Sequence, residues 1–175
     1  VGQPTSSMTA TTRIGYVTPT LTLADESKVP SPAFEAGLQV GDTIRTIDGI
    51  NVSDWMDVVQ TIVTGSGRTA TGQPKTVFTI ERDGQLKEIS IYPRLSGDEQ
   101  FRRVGIDSGY ELLVLKVAKG SIAEKSGFKA DDELLSLNST RVINGSVYQQ
   151  IIEEALNFPI AAVVQRENQK ITLTI

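Results

Sequence analysis

The chain of 175 residues contains no cysteine and no histidine. Without thiolate or imidazole it lacks the usual ligands of a zinc or iron site. A Ser-His-Asp or Cys-His catalytic centre cannot be assembled from it. Aromatic residues are sparse at 6%, and no apolar run approaches the roughly 20 residues that cross a bilayer as a helix. The 17 Lys and Arg are scattered among 21 Asp and Glu, leaving a net charge of −4. That balance provides no basic stripe and argues against a nucleic-acid partner. What remains is an ordinary globular composition, 39% hydrophobic and 22% charged.

What the chain does have is an internal repeat. Ser31-Pro32-Ala33-Phe34-Glu35-Ala36-Gly37-Leu38 lines up with Ser121-Ile122-Ala123-Glu124-Lys125-Ser126-Gly127-Phe128, ninety residues on. Downstream, Thr43-Ile44-Arg45-Thr46-Ile47-Asp48 falls on Glu133-Leu134-Leu135-Ser136-Leu137-Asn138, and upstream Arg13-Ile14-Gly15-Tyr16 falls on Arg103-Val104-Gly105-Ile106. This predicts one small module used twice: residues 1–93, a polar linker 94–102, and residues 103–175. Because Val1 is no natural start and Ile175 stops within an apparent strand, the chain reads as a piece excised from a longer protein.

Local signals repeat in the same order. Ser31 and Ser121 suit helix N-caps, and Pro32 suits the first helical position. Gly37 and Gly127 suit the left-handed residue that ends a helix. Asp48-Gly49 reads as a turn. A helix from Ser53 or Asp54 to Val63 places Trp55, Val58, Val59 and Ile62 on one face, and its counterpart spans 144–156 with Val147, Ile151, Ile152 and Ala155. Thr64 to Lys75, rich in Gly and Thr, reads as a flexible loop. Thr76–Arg82 and Leu86–Tyr92 form a hairpin about Asp83-Gly84, and Ala161–Arg166 with Ile171–Ile175 another. Leu112 to Val117 reads as a buried strand. The fold class is mostly β with short helices (α+β).

The string Ser31-Pro32-Ala33-x-x-Ala36-Gly37-Leu38-x-x-Gly41-Asp42-x-Ile44-x-x-Ile47-Asp48-Gly49 resembles the centre of a PDZ domain. The order of elements is similar to the circularly permuted bacterial form, read here with the peptide-pairing strand first. The second copy departs from the pattern at Asp131, where the first has Gly41, and at Asn138-Ser139, where it has Asp48-Gly49. The resemblance implies two tandem PDZ-like modules, each a small partly open β-barrel or sandwich capped by two helices. Val52-Ser53-Asp54-Trp55, and Tyr92-Pro93 leading to Arg103-Val104-Gly105-Ile106, resemble the tandem PDZ region of bacterial site-2 intramembrane metalloproteases of the regulator of sigma-E protease (RseP) type. The resemblance implies an extracytoplasmic, periplasmic region of an inner-membrane zinc protease. It would filter pre-trimmed transmembrane substrates, such as an anti-sigma factor, and contact the parent's transmembrane domain. The zinc would lie in the parent protein, with no cofactor in this segment. An HtrA-type periplasmic serine protease and a non-enzymatic secretion-system scaffold are the competing contexts.

On the PDZ reading, Ile14, Gly15, Tyr16 and Val17 in one copy, and Val104, Gly105 and Ile106 in the other, are the expected carboxylate loops and pairing strands. Glycine there would aim backbone N–H groups at a peptide's C-terminus. Arg13 and Arg103 would add charge. Met56, Val59, Gln60 and Val63, with Val147 and Ile151, are the candidate pocket residues on the two groove helices. The expected ligand is a protein or peptide with an exposed hydrophobic C-terminus. Asp131-Asp132-Glu133 lacks the ligand spacing of a calcium loop, and Ser121 with Lys125 is explained as a helix cap.

Overall fold

The computed structural model describes residues 10–156 and 158–175. The chain divides into two compact units, the first closing at Gly109 and the second running Tyr110–Ile175. Residues 94–102, read above as a linker, and 103–109, read as the start of the second module, thus lie in the first unit.

The first unit opens with β1 (Ile14–Val17), a hairpin of β2 (Thr20–Thr22) and β3 (Lys28–Pro30), and the short helix α1 (Pro32–Glu35). Then come β4 (Thr43–Ile47), β5 (Ile50–Asn51), the helix α2 (Trp55–Thr64), and the hairpin β6 (Thr76–Arg82) and β7 (Gln85–Ile91). It ends with β8 (Arg94–Ser96), β9 (Phe101–Arg103) and β10 (Ile106–Ser108). The second unit comprises β11 (Leu112–Leu113), α3 (Ile122–Lys125), β12 (Glu133–Leu137), β13 (Thr140–Arg141), α4 (Gly145–Ala155), β14 (Ala161–Arg166) and β15 (Gln169–Thr174). The sheets are open: β5-β4-β6-β7 in the first unit, and β11-β12-β14-β15 with β13 beside β12 in the second. No closed barrel forms among the described residues.

The caps are as the sequence predicts. Ser31 Oγ accepts from Phe34 N at 3.1 Å, and Ser121 Oγ accepts from Glu124 N at 3.1 Å. Asp54 and Asn144 cap the long helices. Each unit also fastens the residue after its short helix to its hairpin through one arginine. Arg82 donates to both Asp42 carboxylate oxygens at 2.7 Å and to Gly37 O. Arg166 does the same to Asp132, at 2.7 and 2.8 Å, and to Gly127 O. The departures in the second copy are accommodated by side-chain chemistry. Asp48 accepts from Val77 N at 2.7 Å, and Asn138 accepts from Ala161 N at 2.9 Å. Both adopt positive φ, which Asp and Asn tolerate better than most residues.

The upstream register of the repeat is different from the one read in sequence. Ile14 N donates to Asp42 O and Gly41 N to Ile14 O, each at 2.8 Å. In the second unit the same two bonds are made by Val114 with Asp132 and Asp131, again at 2.8 Å. Ile14 therefore corresponds to Val114 and not to Val104. The match of Arg13–Tyr16 to Arg103–Ile106 is a coincidence of offset. The β2–β3 hairpin accounts for it: seventeen positions separate Ile14 from Ser31 but only seven separate Val114 from Ser121.

Two further expectations are corrected. The Thr64–Lys75 loop is tied down by Thr69 N to Gln73 O at 2.8 Å, Lys75 N to Gly67 O at 2.9 Å, and the Arg102 guanidinium on the Gly67 and Lys75 carbonyls. Leu112–Val117 is not a buried strand. Pairing covers Leu112, Leu113 and Val114, and Leu115 is 83% exposed.

Candidate functional site

A groove of mixed polar and aliphatic lining in the first unit runs between α2 and the chain from Arg102 to Ile106, with a volume of about 450 Å³. Trp55, Val59 and Val63 face it from α2, while Val104, Gly105 and Ile106 form the opposite wall. The β2 residues Thr20, Leu21 and Thr22 also line it.

The wall is built by the end of the unit. Val104 is 4% exposed and joins Ile14, Ala33, Val58 and Ile62 in one core cluster. Its carbonyl accepts from Ala33 N at 2.8 Å, and the Gly105 carbonyl accepts from Thr18 N at 2.9 Å. Gly105 has φ of 88°, where glycine is favoured, and a Cβ there would meet Ser31 Cβ at 2.7 Å. Beyond it β10 pairs antiparallel with β1, Ile106 opposite Val17 and Asp107 opposite Tyr16. No strand covers its other edge among the described residues. An open strand edge facing a helix with aliphatic side chains is the geometry that accepts an extended peptide by strand addition.

The groove brings together Val59 and Val63 from one predicted set and Val104, Gly105 and Ile106 from the other. Both sets belong to one site, because the groove-bordering strand comes last in the unit instead of first. Arg103 lines it and Arg13 does not. Ile14 and Gly15 are not carboxylate-loop residues. Ile14 is fully buried in the core, and a Cβ on Gly15 would meet Ser108 O at 2.2 Å, so this glycine serves the close approach of β1 to β10. Tyr16 and Val17 act through the same pairing. Met56 is exposed outside the groove. Gln60 lines a different cleft of about 900 Å³ beside the Asp48-Gly49 turn. The sequence reading missed Thr20, Leu21 and Thr22, whose hairpin has no counterpart in the second copy. Trp55 both packs on the core and lines the groove.

In the second unit Val147 is a buried core residue and Ile151 is half-buried. Neither lines the cleft of about 580 Å³ found there, which takes Tyr148 and Ile152 from α4. With the caps aligned, Asn144 on Asp54, the positions of Val59 and Val63 are held by Gln149 and Glu153. These bond to each other at 2.8 Å. The second helix thus presents polar side chains where the first presents valines.

Nothing in the chain suits a zinc ion. It has neither His nor Cys, and no group of three or more Asp and Glu converges as a metal site among the described residues. No helix among them is long and apolar enough to cross a membrane.

Comparison with known proteins agrees with this architecture. The PDZ domain family profile matches residues 113–166. A protein of Treponema pallidum named "Putative zinc metalloprotease" is 29% identical over 83% of this chain and 31% of its own length. Proteins similarly named in Neisseria meningitidis and Vibrio cholerae are 27% and 26% identical, over 82% and 83% of this chain and 32% and 33% of their own. The PDZ domain of an SdrC-like protein from Listeria monocytogenes aligns with 61% of this chain and 93% of its own at 14% identity and a TM-score of 0.36, too low to carry an argument. The chain thus carries a PDZ match and is similar along most of its length to bacterial proteins named putative zinc metalloproteases, and it spans about a third of the length of the curated relatives it matches.

Proposed function

We propose that this chain is the extracytoplasmic, periplasmic PDZ region of an intramembrane-cleaving zinc metalloprotease of the inner membrane, and that its first unit selects substrates by an exposed hydrophobic C-terminus. The observation that carries the reading is the groove between α2 and Arg102–Ile106, with valines on the helix and an open β10 edge opposite. A peptide added to β10 would gain main-chain hydrogen bonds, and Val59 and Val63 would select an aliphatic terminal side chain. Regulatory proteins already trimmed by another protease, such as an anti-sigma factor, would be substrates of this kind. The PDZ region would filter them before the transmembrane domain of the parent acts. Catalysis and zinc belong to residues outside this chain, since its donor set fits neither.

Titration of peptides ending in Val, Ala or Leu into the labelled chain, beside C-terminally amidated versions, tests this. Saturable shifts at Val59, Val63 and Ile106, at least tenfold weaker with the amide, are expected. Equal affinity for acid and amide would refute carboxylate recognition.

A further inference from the structure

The second unit has a cleft where the first has a strand. In the first unit the segment Arg102–Ser108 completes the fold: Val104 enters the core, Gly105 passes over Ser31, and β10 covers the free edge of β1. The equivalent of β1 is the run from Leu112 to Val117, by the hydrogen bonds that pair Ile14 with Val114. No strand among the described residues covers its corresponding edge.

The surrounding side chains carry the mark of that vacancy. The core positions Val58 and Ile62 on α2 are buried, whereas their counterparts on α4 are exposed or half-buried, Tyr148 at 39%. The helix α1 buries Pro32 and Ala33, but α3 buries nothing, and Ile122, at the position of Pro32, is 68% exposed. Val114, Val117, Ala123, Tyr148 and Ile152 all line the one cleft of about 580 Å³, together with Ile175 at the end of the last hairpin. Apolar side chains left open at positions that are core in a sister module point to a missing element of the same shape.

We propose that this cleft is a strand-docking site, completed by an extended polypeptide segment from outside residues 1–175 with the aliphatic-Gly-aliphatic pattern of Val104-Gly105-Ile106. The segment runs antiparallel to 114–117. Its first aliphatic residue fills the cavity beside Ala123 and Ile152. Its glycine crosses Ser121, as Gly105 crosses Ser31. Its carbonyl accepts from Ala118 N, as Gly105 O accepts from Thr18 N in the first unit. The site is separate from the proposed C-terminal groove: it recognises an internal sequence and needs no free carboxylate.

The probe is a nonapeptide of sequence Phe101–Gly109, blocked at both ends, titrated into the isotope-labelled chain of residues 10–175. Saturable shifts at Val114, Val117, Ala123, Tyr148 and Ile152 are expected, with slowed amide exchange across 114–117. A peptide carrying Gly105→Val should bind at least tenfold more weakly, because its side chain would strike Ser121. The chain variant Ala118→Pro, exposed and lacking the donor, should also lose about tenfold. No shift in the second unit at millimolar peptide, shifts confined to the first unit, or equal binding of the Gly105→Val peptide would each overturn the proposal. So would self-association of the chain through this cleft that the peptide fails to displace. Failure of the acid-versus-amide comparison at Val59 and Val63 would leave this result untouched, since the two readouts lie in different units.

Discussion

The two units share a short capped helix, an arginine fastened on a buried aspartate and a final hairpin, yet only the first has a closed core. The difference lies in one segment of seven residues. Arg102–Ser108 gives the first unit a buried valine, two main-chain bonds from Thr18 and Ala33, and a partner for β1. The second unit has equivalent positions for all of these and, among the described residues, no such segment, so the outer edge of 114–117 has no strand partner and α3 lies on the surface. Tandem copies with matching motifs are not thereby equal in packing.

The strongest way to break the comparison is Val104→Asp. Placing an unpaired carboxylate among Ile14, Ala33 and Val58 should cost the first unit about 3–5 kcal/mol and leave the second unit unchanged. Urea unfolding followed by amide signals from each unit checks this; a parallel loss in both units would show that they do not unfold independently.

Arg166→Ala is next in size. It leaves the fully buried Asp132 with one backbone donor, Lys129 N, in place of a bidentate guanidinium. A loss of about 2–3 kcal/mol is expected in the second unit, by the same measurement. Hydrogen bonding from Arg166 is the main influence holding the Asp132 carboxyl below its ordinary 3.8. A depressed carboxyl stabilises the fold fully above its unfolded pKa. That part of the stability is lost as pH falls through the lower folded value, so decline should begin near pH 4, and Arg166→Ala should flatten it.

Gly105→Ala sharpens the comparison at one atom. Positive φ and the 2.7 Å approach to Ser31 Cβ together predict a loss of about 2 kcal/mol, confined to the first unit. Weakened peptide binding at Val59 and Val63 should accompany it. Gly127→Ala, at the matching strained φ of 89° in the second unit but with only Leu173 nearby at 3.5 Å, should cost less, about 1 kcal/mol. Asn138→Asp is expected to be smallest, within about 0.5 kcal/mol, because Asp48 already performs the same acceptor role in the first unit. Thermal unfolding resolves the last two.

Much of the local structure was legible in the sequence because its causes are local. Ser before Pro-Ala, Gly after the short helix and Asp-Gly between alternating apolar runs dictate caps and turns within four residues, and the fold follows them at Ser31, Gly37 and Asp83. The absence of His and Cys deprives the chain of the usual zinc ligands. What the sequence could not decide was which strand completes which module. That depends on pairing across some ninety residues, as between Val17 and Ile106, and neither periodicity nor a constant offset reports it. The β2–β3 hairpin shifted the true register by ten positions while Arg13–Tyr16 and Arg103–Ile106 still matched by chance. Only tertiary packing, with Val104 in the first core and no described residue at the same place in the second, assigned Val59, Val63, Val104, Gly105 and Ile106 to one groove and left the other module open.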